Sequence, residues 1–218
     1  MIDYAAARLH MVDSQLRTNK VTDGAVLDAF LAVPRERFVP APLHGIAYVD
    51  DDVPLGGGRF LTEPMVLARM LQEAAIGKSD AVLEVGCAGG YGTALLARLG
   101  RSVVGIDSDA GLVKEAQDRL RALGIANAAV ISCPMTEGYP SRAPYDVIIF
   151  EGAVERIPEA IAEQLAEDGR LVAVVQQSGA VGRAMLMVRS NGVLSRRPIF
   201  DAAVSPLPGF RREAGFVF

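Results

Sequence analysis

The 218-residue chain is half hydrophobic and 22% charged, which is typical of a packed globular protein and argues against a disordered or fibrous one. Its formal net charge of −4 predicts no general attraction to nucleic acid. With neither an apolar N-terminal signal nor a spanning segment, the chain is expected to be cytoplasmic and to contact no membrane. Two isolated cysteines exclude a disulfide framework, and the pairs Arg196-Arg197 and Arg211-Arg212 are interpreted as solvated surface.

The N-terminal part is predicted to begin with two helices. Apolar residues fall at helical spacing from residue 7 to residue 31, and Thr22-Asp23 supplies an N-cap for the second helix. Prolines and glycines then predict an irregular chain from Pro34 to the three consecutive glycines Gly56, Gly57 and Gly58. Within it, the acids Asp50, Asp51 and Asp52 project in different directions, so a solvated loop is expected there and no metal site.

The rest of the chain alternates strand-like and helical runs. A helix is predicted over residues 65–75, with Thr62 as its cap and Pro64 in its first turn. Strand-like runs follow at 81–85, 103–106, 129–131, 147–150 and 171–175, separated by helical runs at 93–99, 112–123 and 157–165. Asn191-Gly192, between strand-like runs at 185–189 and 193–200, indicates a final hairpin. The sequence therefore predicts an α/β fold with a doubly wound, mostly parallel seven-stranded sheet that ends in an antiparallel hairpin.

A glycine-rich turn closes the first of these strands and opens a helix. It reads Glu84-Val85-Gly86-Cys87-Ala88-Gly89-Gly90. Glycines at such a turn let a ligand approach the backbone, and the start of the helix offers free N–H groups. The dinucleotide fingerprint would require glycine in place of Ala88 and Tyr91, so a nicotinamide dinucleotide is excluded. Cys87 is interpreted as a small residue that admits the ligand, not as a nucleophile.

Two acids indicate which ligand the turn would hold. Glu84 would repel phosphate but can balance a cation, and S-adenosylmethionine carries both an ammonium and a sulfonium. Asp107 follows the second strand about 20 residues after the turn, where a carboxylate can accept both ribose hydroxyls. Asp107 could instead cap the next helix, but Asp109 is better placed for that role. Together the turn and the two acids predict a site for S-adenosylmethionine.

The segment from Pro54 to Pro64 is a second candidate. Three consecutive glycines ahead of a helix indicate either a ligand or another backbone close by, or a flexible hinge. Thr62 is either the cap of the following helix or a hydroxyl that orients a carboxylate or an attacking oxygen. The residues alone leave both questions open.

The sequence resembles the protein-L-isoaspartate (D-aspartate) O-methyltransferases, a family of class I S-adenosylmethionine-dependent methyltransferases. The most specific match is the string Val33-Pro34-Arg35-Glu36-Arg37-Phe38-Val39-Pro40. Other matches lie at 11–16, 47–48, 54–64, 82–91, 144–149, 157–158, 164–165 and 169–172, so the resemblance covers nearly the whole chain.

The resemblance implies methylation of the α-carboxyl of L-isoaspartyl residues in damaged proteins or peptides, by a monomer. It implies an extension, residues 1–76, that carries the active-site loop and packs on a methyltransferase core, residues 77–218. It makes Thr62 the catalytic residue and assigns Gly57, Gly58, Arg59 and Phe60 to a substrate loop. The cofactor contacts that it implies are Leu61, Glu84, Gly86, Cys87, Gly90, Asp107, Ser108, Pro134 and Met135.

Three departures from the family pattern fall on these residues. Arg59-Phe60-Leu61-Thr62 stands where the family has Gln-Thr-Ile-Ser, Ala88 replaces a glycine of the turn, and Cys133-Pro134-Met135 replaces Gly-Asp-Gly. Pro134 therefore stands where an acid would meet the adenine amine. Two alternatives follow: a related methyltransferase that acts on another carboxylate or a small molecule, and a non-catalytic binding module.

Overall fold

The computed structural model describes residues 2–177 and 180–210. Its N-terminal part is helical and ends in a hairpin. Its elements are α1 (Tyr4–Met11), a π-helical turn (Val12–Leu16), α2 (Gly24–Ala32), 3₁₀ turns at Arg17–Asn19, Arg35–Phe38 and Ala41–Ile46, and strands β1 (Val53–Gly56) and β2 (Arg59–Leu61). The side chain of Asp23 accepts a hydrogen bond from Val26 N at 3.0 Å, which confirms the predicted cap of the second helix.

Helices and strands alternate from residue 64 onward. The helices are α3 (Pro64–Ala74), α4 (Tyr91–Leu99), α5 (Ala110–Ala122) and α6 (Glu159–Ala162). The strands are β3 (Ala81–Val85), β4 (Ser102–Asp107), β5 (Ala128–Ser132), β6 (Tyr145–Val154), β7 (Leu165–Val175), β8 (Arg183–Ser190) and β9 (Val193–Asp201). Short 3₁₀ turns at Met135–Glu137 and Pro140–Arg142 follow β5.

Seven strands form one sheet in the order β5-β4-β3-β6-β7-β8-β9. Pairing is parallel from β5 to β7 and antiparallel at β7-β8 and β8-β9, which confirms the predicted fold class and the final hairpin. The chain moves outward from β3 to β5 and returns to the other side of β3 at β6. A switch point therefore lies between the carboxyl ends of β3 and β6, where sheets of this kind bind ligands.

The N-terminal helices pack on one face of this sheet. Phe30 of α2 and Phe38 contact the ring of Tyr91 at the start of α4, with ring centroids 6.1 and 5.4 Å apart. All three side chains are buried in one hydrophobic cluster that also contains Val82 of β3. The N-terminal residues thus share a core with the sheet, and the division at residues 76 and 77 stays a prediction.

Two local predictions are wrong. The glycine segment is not irregular, because Gly57 and Gly58 adopt φ angles of +58° and +73° and close a two-residue hairpin between β1 and β2. The helix predicted over residues 157–165 shrinks to α6, because Leu165 instead pairs with Tyr145 in the sheet. Arg211-Arg212 lies outside the described residues.

None of the helices given above has the length and apolar character needed to cross a membrane.

Candidate functional site

The glycine turn lies at the switch point, at the carboxyl end of β3. Gly86 and Gly90 adopt φ angles of +86° and +89°, which favour glycine, and Gly90 is the residue from which α4 starts. The N–H groups of Gly86 and Cys87 donate to the carbonyl oxygen of Ile106 in β4, at 2.9 and 3.1 Å. These bonds hold the turn against the end of the neighbouring strand.

Ala88 has a strained backbone conformation. Its φ is +44°, in the left-handed region where a side chain costs about 1–2 kcal/mol. The hydrogen bond from Ala88 N to Asp107 Oδ2, at 2.8 Å, holds the residue in this conformation. An alanine thus adopts a left-handed conformation at the position where the family has glycine.

Asp107 ends β4 and points back at this turn. Its side chain is fully buried and accepts a hydrogen bond from Asp109 N at 3.1 Å in addition to the one from Ala88. Asp109 caps α5 through Gly111 N and Leu112 N, which confirms the cap predicted there. The carboxylate of Asp107 is thus free of the capping role and lies beside the turn.

Arg59, predicted in a substrate loop, reaches into the same place from β2. Its Nη2 lies 2.8 Å from Asp107 Oδ2, in an ion pair whose two side chains are 5% and 0% exposed. The same Nη2 donates to the carbonyl oxygen of Gly86 at 2.8 Å. Arg59 therefore connects the hairpin both to Asp107 and to the glycine turn.

The segment of residues 205–207 also covers this edge of the sheet. Leu207 N donates to the carbonyl oxygen of Ala153 at 2.8 Å. A Cβ added at Gly86 would lie 2.5 Å from Leu207 Cδ2, and one at Gly152 would lie 2.6 Å from Leu207 Cγ. Leu207 thus fills the space between the ends of β3 and β6.

Asp52 joins this segment to the hairpin, and the interpretation of Asp50, Asp51 and Asp52 as a solvated loop is wrong for this residue. Its two oxygens accept hydrogen bonds from Glu63 N at 2.9 Å and from the N and Oγ of Ser205, both at 3.0 Å. Asp52 lies directly before β1, so these bonds join the base of the hairpin to residues 205–207.

A pair of buried carboxyl groups lies beneath the turn. Glu84 of β3 and Glu151 of β6 point to the same side of the sheet, and a Cβ at Gly92 would overlap both of them. Thr93 Oγ1 donates to Glu84. Burial raises the pKa of Glu84, while burial and the charge of Glu84 raise the pKa of Glu151 well above its usual value. These shifts favour the protonated form of Glu151, whose Oε2 has no hydrogen-bond partner among the described residues.

Sequence reasoning missed Glu151, although a signal existed. It directly follows an apolar run in a strand that was predicted to be parallel, and carboxyl ends of parallel strands meet at one edge. Arg35, which was quoted for the resemblance without a role, was missed as well. Its guanidinium is fully buried and donates to the carbonyl oxygens of Ala47 at 2.7 Å and Thr62 at 2.8 Å.

The other predicted site residues differ in their burial and in their position in the fold. Thr62 is buried beyond β2, and it is not the cap of α3, because Glu63 holds that position without a side-chain bond. Burial, with the charge of Glu84 next, raises the pKa of the Cys87 thiol well above its usual value, which disfavours a nucleophile. The remaining positions are Leu61, buried in β2; Phe60, half-buried; Gly57 and Gly58, at the hairpin tip; Ser108, exposed; Pro134, exposed before a 3₁₀ turn; and Met135, buried within it.

Comparisons with known proteins decide the family. The family model described as "Protein-L-isoaspartate(D-aspartate) O-methyltransferase (PCMT)" matches residues 7–207. The chain belongs to this family. A protein-L-isoaspartate O-methyltransferase of Methylorubrum extorquens (strain PA1) is 42% identical over 87% of this chain and 82% of the relative. One of Koribacter versatilis (strain Ellin345) is 40% identical over 94% and 92%.

Solved structures agree with this assignment of family and fold. A protein-L-isoaspartate O-methyltransferase structure superposes with a TM-score of 0.82 at 25% identity, over 93% of this chain and 66% of the other. A putative PCMT from Plasmodium falciparum, solved in complex with S-adenosyl-L-homocysteine, superposes with a TM-score of 0.80 over 95% and 99%. At 18% identity the second likeness shows the fold alone.

PCMT enzymes use S-adenosylmethionine, and the donor set at the switch point suits that cofactor. Gly86 and Gly90 are held in conformations that let a ligand approach the backbone, and Asp107 provides a carboxylate for hydroxyl groups. The charge on the Glu84–Glu151 pair suits a cation. Within the described residues, no group of three His, Cys, Asp or Glu side chains could hold a metal ion.

Proposed function

We propose that this chain transfers a methyl group from S-adenosylmethionine to the carboxyl group of L-isoaspartyl residues in damaged proteins and peptides. The observation that carries the proposal is the glycine turn facing Asp107 at the switch point of the sheet, in a member of the PCMT family. The ester formed would then collapse to a succinimide, so the activity is one of protein repair.

The reaction asks the protein mainly to position two ligands. S-adenosylmethionine supplies, when bound, an electrophilic methyl group on a sulfonium. An isoaspartyl carboxylate is already ionised at neutral pH, so the protein needs no strong base to activate it. The hairpin, with Arg59, and residues 205–207, with Leu207, lie over the turn and exclude water from it.

We propose roles for individual residues on the same basis. Asp107 would accept the ribose hydroxyls, and the backbone of Gly86, Cys87 and Gly90 would line the cofactor. Glu84 and Glu151, sharing one proton, keep one negative charge near a cationic ligand. Further proposed cofactor contacts are Leu61, Ser108, Pro134 and Met135.

The acceptor would be held by the β1–β2 hairpin and the residue that follows it. Thr62 is buried there, and its hydroxyl would orient the acceptor carboxylate. Gly57, Gly58, Arg59 and Phe60 would bound the acceptor site. We also expect the protein to be a cytoplasmic monomer that needs no nucleic acid.

The proposal is tested with two peptides that differ at one residue. One carries an L-isoaspartyl residue and the other a normal aspartyl residue at the same position, and each is incubated with the chain and methyl-labelled S-adenosylmethionine. We expect base-labile label in the isoaspartyl peptide and background in its aspartyl control. Background incorporation in both, by protein that binds S-adenosylhomocysteine, would overturn the proposed substrate.

A further inference from the structure

The ribose position on Asp107 is taken by Arg59. Oδ2 of Asp107 accepts hydrogen bonds from Arg59 Nη2 at 2.8 Å, from Arg59 Nε at 3.2 Å and from Ala88 N at 2.8 Å. Oδ1 accepts one from Asp109 N at 3.1 Å. A carboxylate has about four acceptor positions in all, so two further hydroxyl donors do not fit beside these bonds.

The space above the turn is filled by the same arginine together with Leu207. A Cβ at Gly86 would lie 2.5 Å from Leu207 Cδ2 and 3.1 Å from Arg59 Nη2. At the hairpin tip, a Cβ at Gly57 would lie 3.2 Å from Asp109 Oδ2. The hairpin therefore reaches across the turn to the start of α5, and the ion pair lies beneath it.

We infer that Arg59 competes with S-adenosylmethionine for Asp107 and so determines the affinity of this site for its cofactor. The inference rests on the proposed function. The protein is held closed by an internal counter-ion, and the β1–β2 hairpin shifts when the cofactor enters. Leu207 moves with the hairpin, because Asp52 joins the two segments through Glu63 and Ser205.

Part of the binding free energy is consumed in separating Arg59 from Asp107. Two charge-assisted bonds to Asp107 and one to the carbonyl oxygen of Gly86 are broken before the ribose can bond. A variant without the guanidinium avoids this cost. Glutamine is the family's residue at this position, so Arg59→Gln is a substitution that the fold accommodates elsewhere.

The test measures the binding of S-adenosylhomocysteine to the full chain by calorimetry. We expect Arg59→Gln to lower Kd by about tenfold or more, since hydrogen bonds to charged groups are the strong ones. The same variant should melt at a lower temperature without ligand, because Asp107 loses its counter-ion, and should show a larger upward shift with ligand. The control is Arg142→Gln, an exposed arginine for which we expect no change in Kd.

A second variant keeps the test valid should Arg59→Gln fail to fold. Arg59→Lys retains the charge but cannot bond to Asp107 and Gly86 with a planar fork, so we expect a smaller decrease in Kd. An unchanged or higher Kd in the variants, with wild type binding, overturns the inference and leaves the proposed function standing. If neither wild type nor any variant binds at millimolar ligand, the proposed function fails and this inference fails with it.

Discussion

Two carboxyl groups buried side by side cannot both be ionised without a large cost in free energy. Glu84 and Glu151 have this arrangement, with Thr93 as the donor to Glu84. A proton held between them lets one carboxyl donate to the other. The folded protein therefore binds this proton more tightly than the unfolded chain, and folding stability is linked to pH.

We predict that Glu151→Gln weakens this pH dependence. The folded pKa of Glu151 lies above its ordinary value of 4.5, so the stabilisation is complete at low pH and is lost as the pH rises. Glutamine keeps the shape and donates to Glu84 without titrating. As the pH rises above about 5, the free energy of unfolding should fall less in the variant than in wild type.

Denaturant titrations at several pH values measure this difference, with the exposed Glu159→Gln as the matched control. Parallel pH profiles for wild type and Glu151→Gln would show that the pair does not hold the proton.

At the scale of single residues, the sequence predicted Glu84, Gly86 and Asp107 because each belongs to a local signal, a turn or a strand end. It assigned no role to Glu151. That carboxyl group gains a role only from its contact with Glu84, which lies 67 residues earlier in the chain (151 minus 84). It also could not pair Arg59 with Asp107. That contact depends on the hairpin's position over the sheet, which no local pattern encodes.

The β1–β2 hairpin is the element on which the site depends most. It is short, and because an isolated two-stranded hairpin is at best marginally stable, its position depends on contacts with the rest of the protein. Asp52 supplies three of those contacts, to Glu63 N and to the N and Oγ of Ser205. Removal of this carboxylate should therefore loosen two segments together.

We predict that Asp52→Ala lowers the free energy of unfolding by about 1–3 kcal/mol, because three half-buried donors lose their acceptor. Asp50→Ala, at an exposed position two residues earlier, should change it by less than about 0.5 kcal/mol. Denaturant unfolding of both variants provides the comparison. Equal effects at the two positions would mean that Asp52 does not connect these segments.

At the scale of elements, the core strands were predicted because buried parallel strands are continuously apolar. The hairpin was not, because three glycines look like a break in structure unless their φ angles are known. The helix over residues 157–165 was overextended for a related reason. Its apolar residues also suit a strand, and pairing of Leu165 with Tyr145 decided between the two.

In the whole molecule, one buried cation connects the N-terminal helices to the site. Arg35 bonds to the carbonyl oxygens of Ala47 and Thr62 and lies over the ring of Tyr91, 4.9 Å from its centroid. These contacts join Arg35 to three other parts of the chain. Burial lowers the pKa of Arg35, whose Nε and Nη2 are bonded to carbonyl oxygens while its buried Nη1 has no hydrogen-bond partner among the described residues.

We predict that Arg35→Met destabilises the protein by at least about 2 kcal/mol, because two buried carbonyl oxygens lose a charged donor. Thermal and denaturant unfolding measure the loss. The control is Arg37→Met, an exposed position in the same 3₁₀ turn, which should remain within about 0.5 kcal/mol of wild type. Comparable stability of the two variants would show that Arg35 is not a link between these parts.

The overall architecture was predictable because the alternation of strands and helices specifies a doubly wound sheet almost uniquely. The packing of residues 2–63 on that sheet was expected only from the family resemblance, since it depends on tertiary contacts such as those of Arg35, which have no periodic signature.

The outermost strand of the sheet, β9, has a consequence for how copies of this protein meet. Most of its residues are exposed, and no strand within residues 2–177 and 180–210 covers its outer edge. A bare edge invites another chain to add its own strand, which is a route to aggregation. Arg196 and Arg197 lie in the middle of β9, and Arg197 pairs with Glu73 at 3.1 Å. Charged side chains on an edge strand disfavour the addition of a strand from another chain, so we expect these arginines to oppose edge-to-edge association.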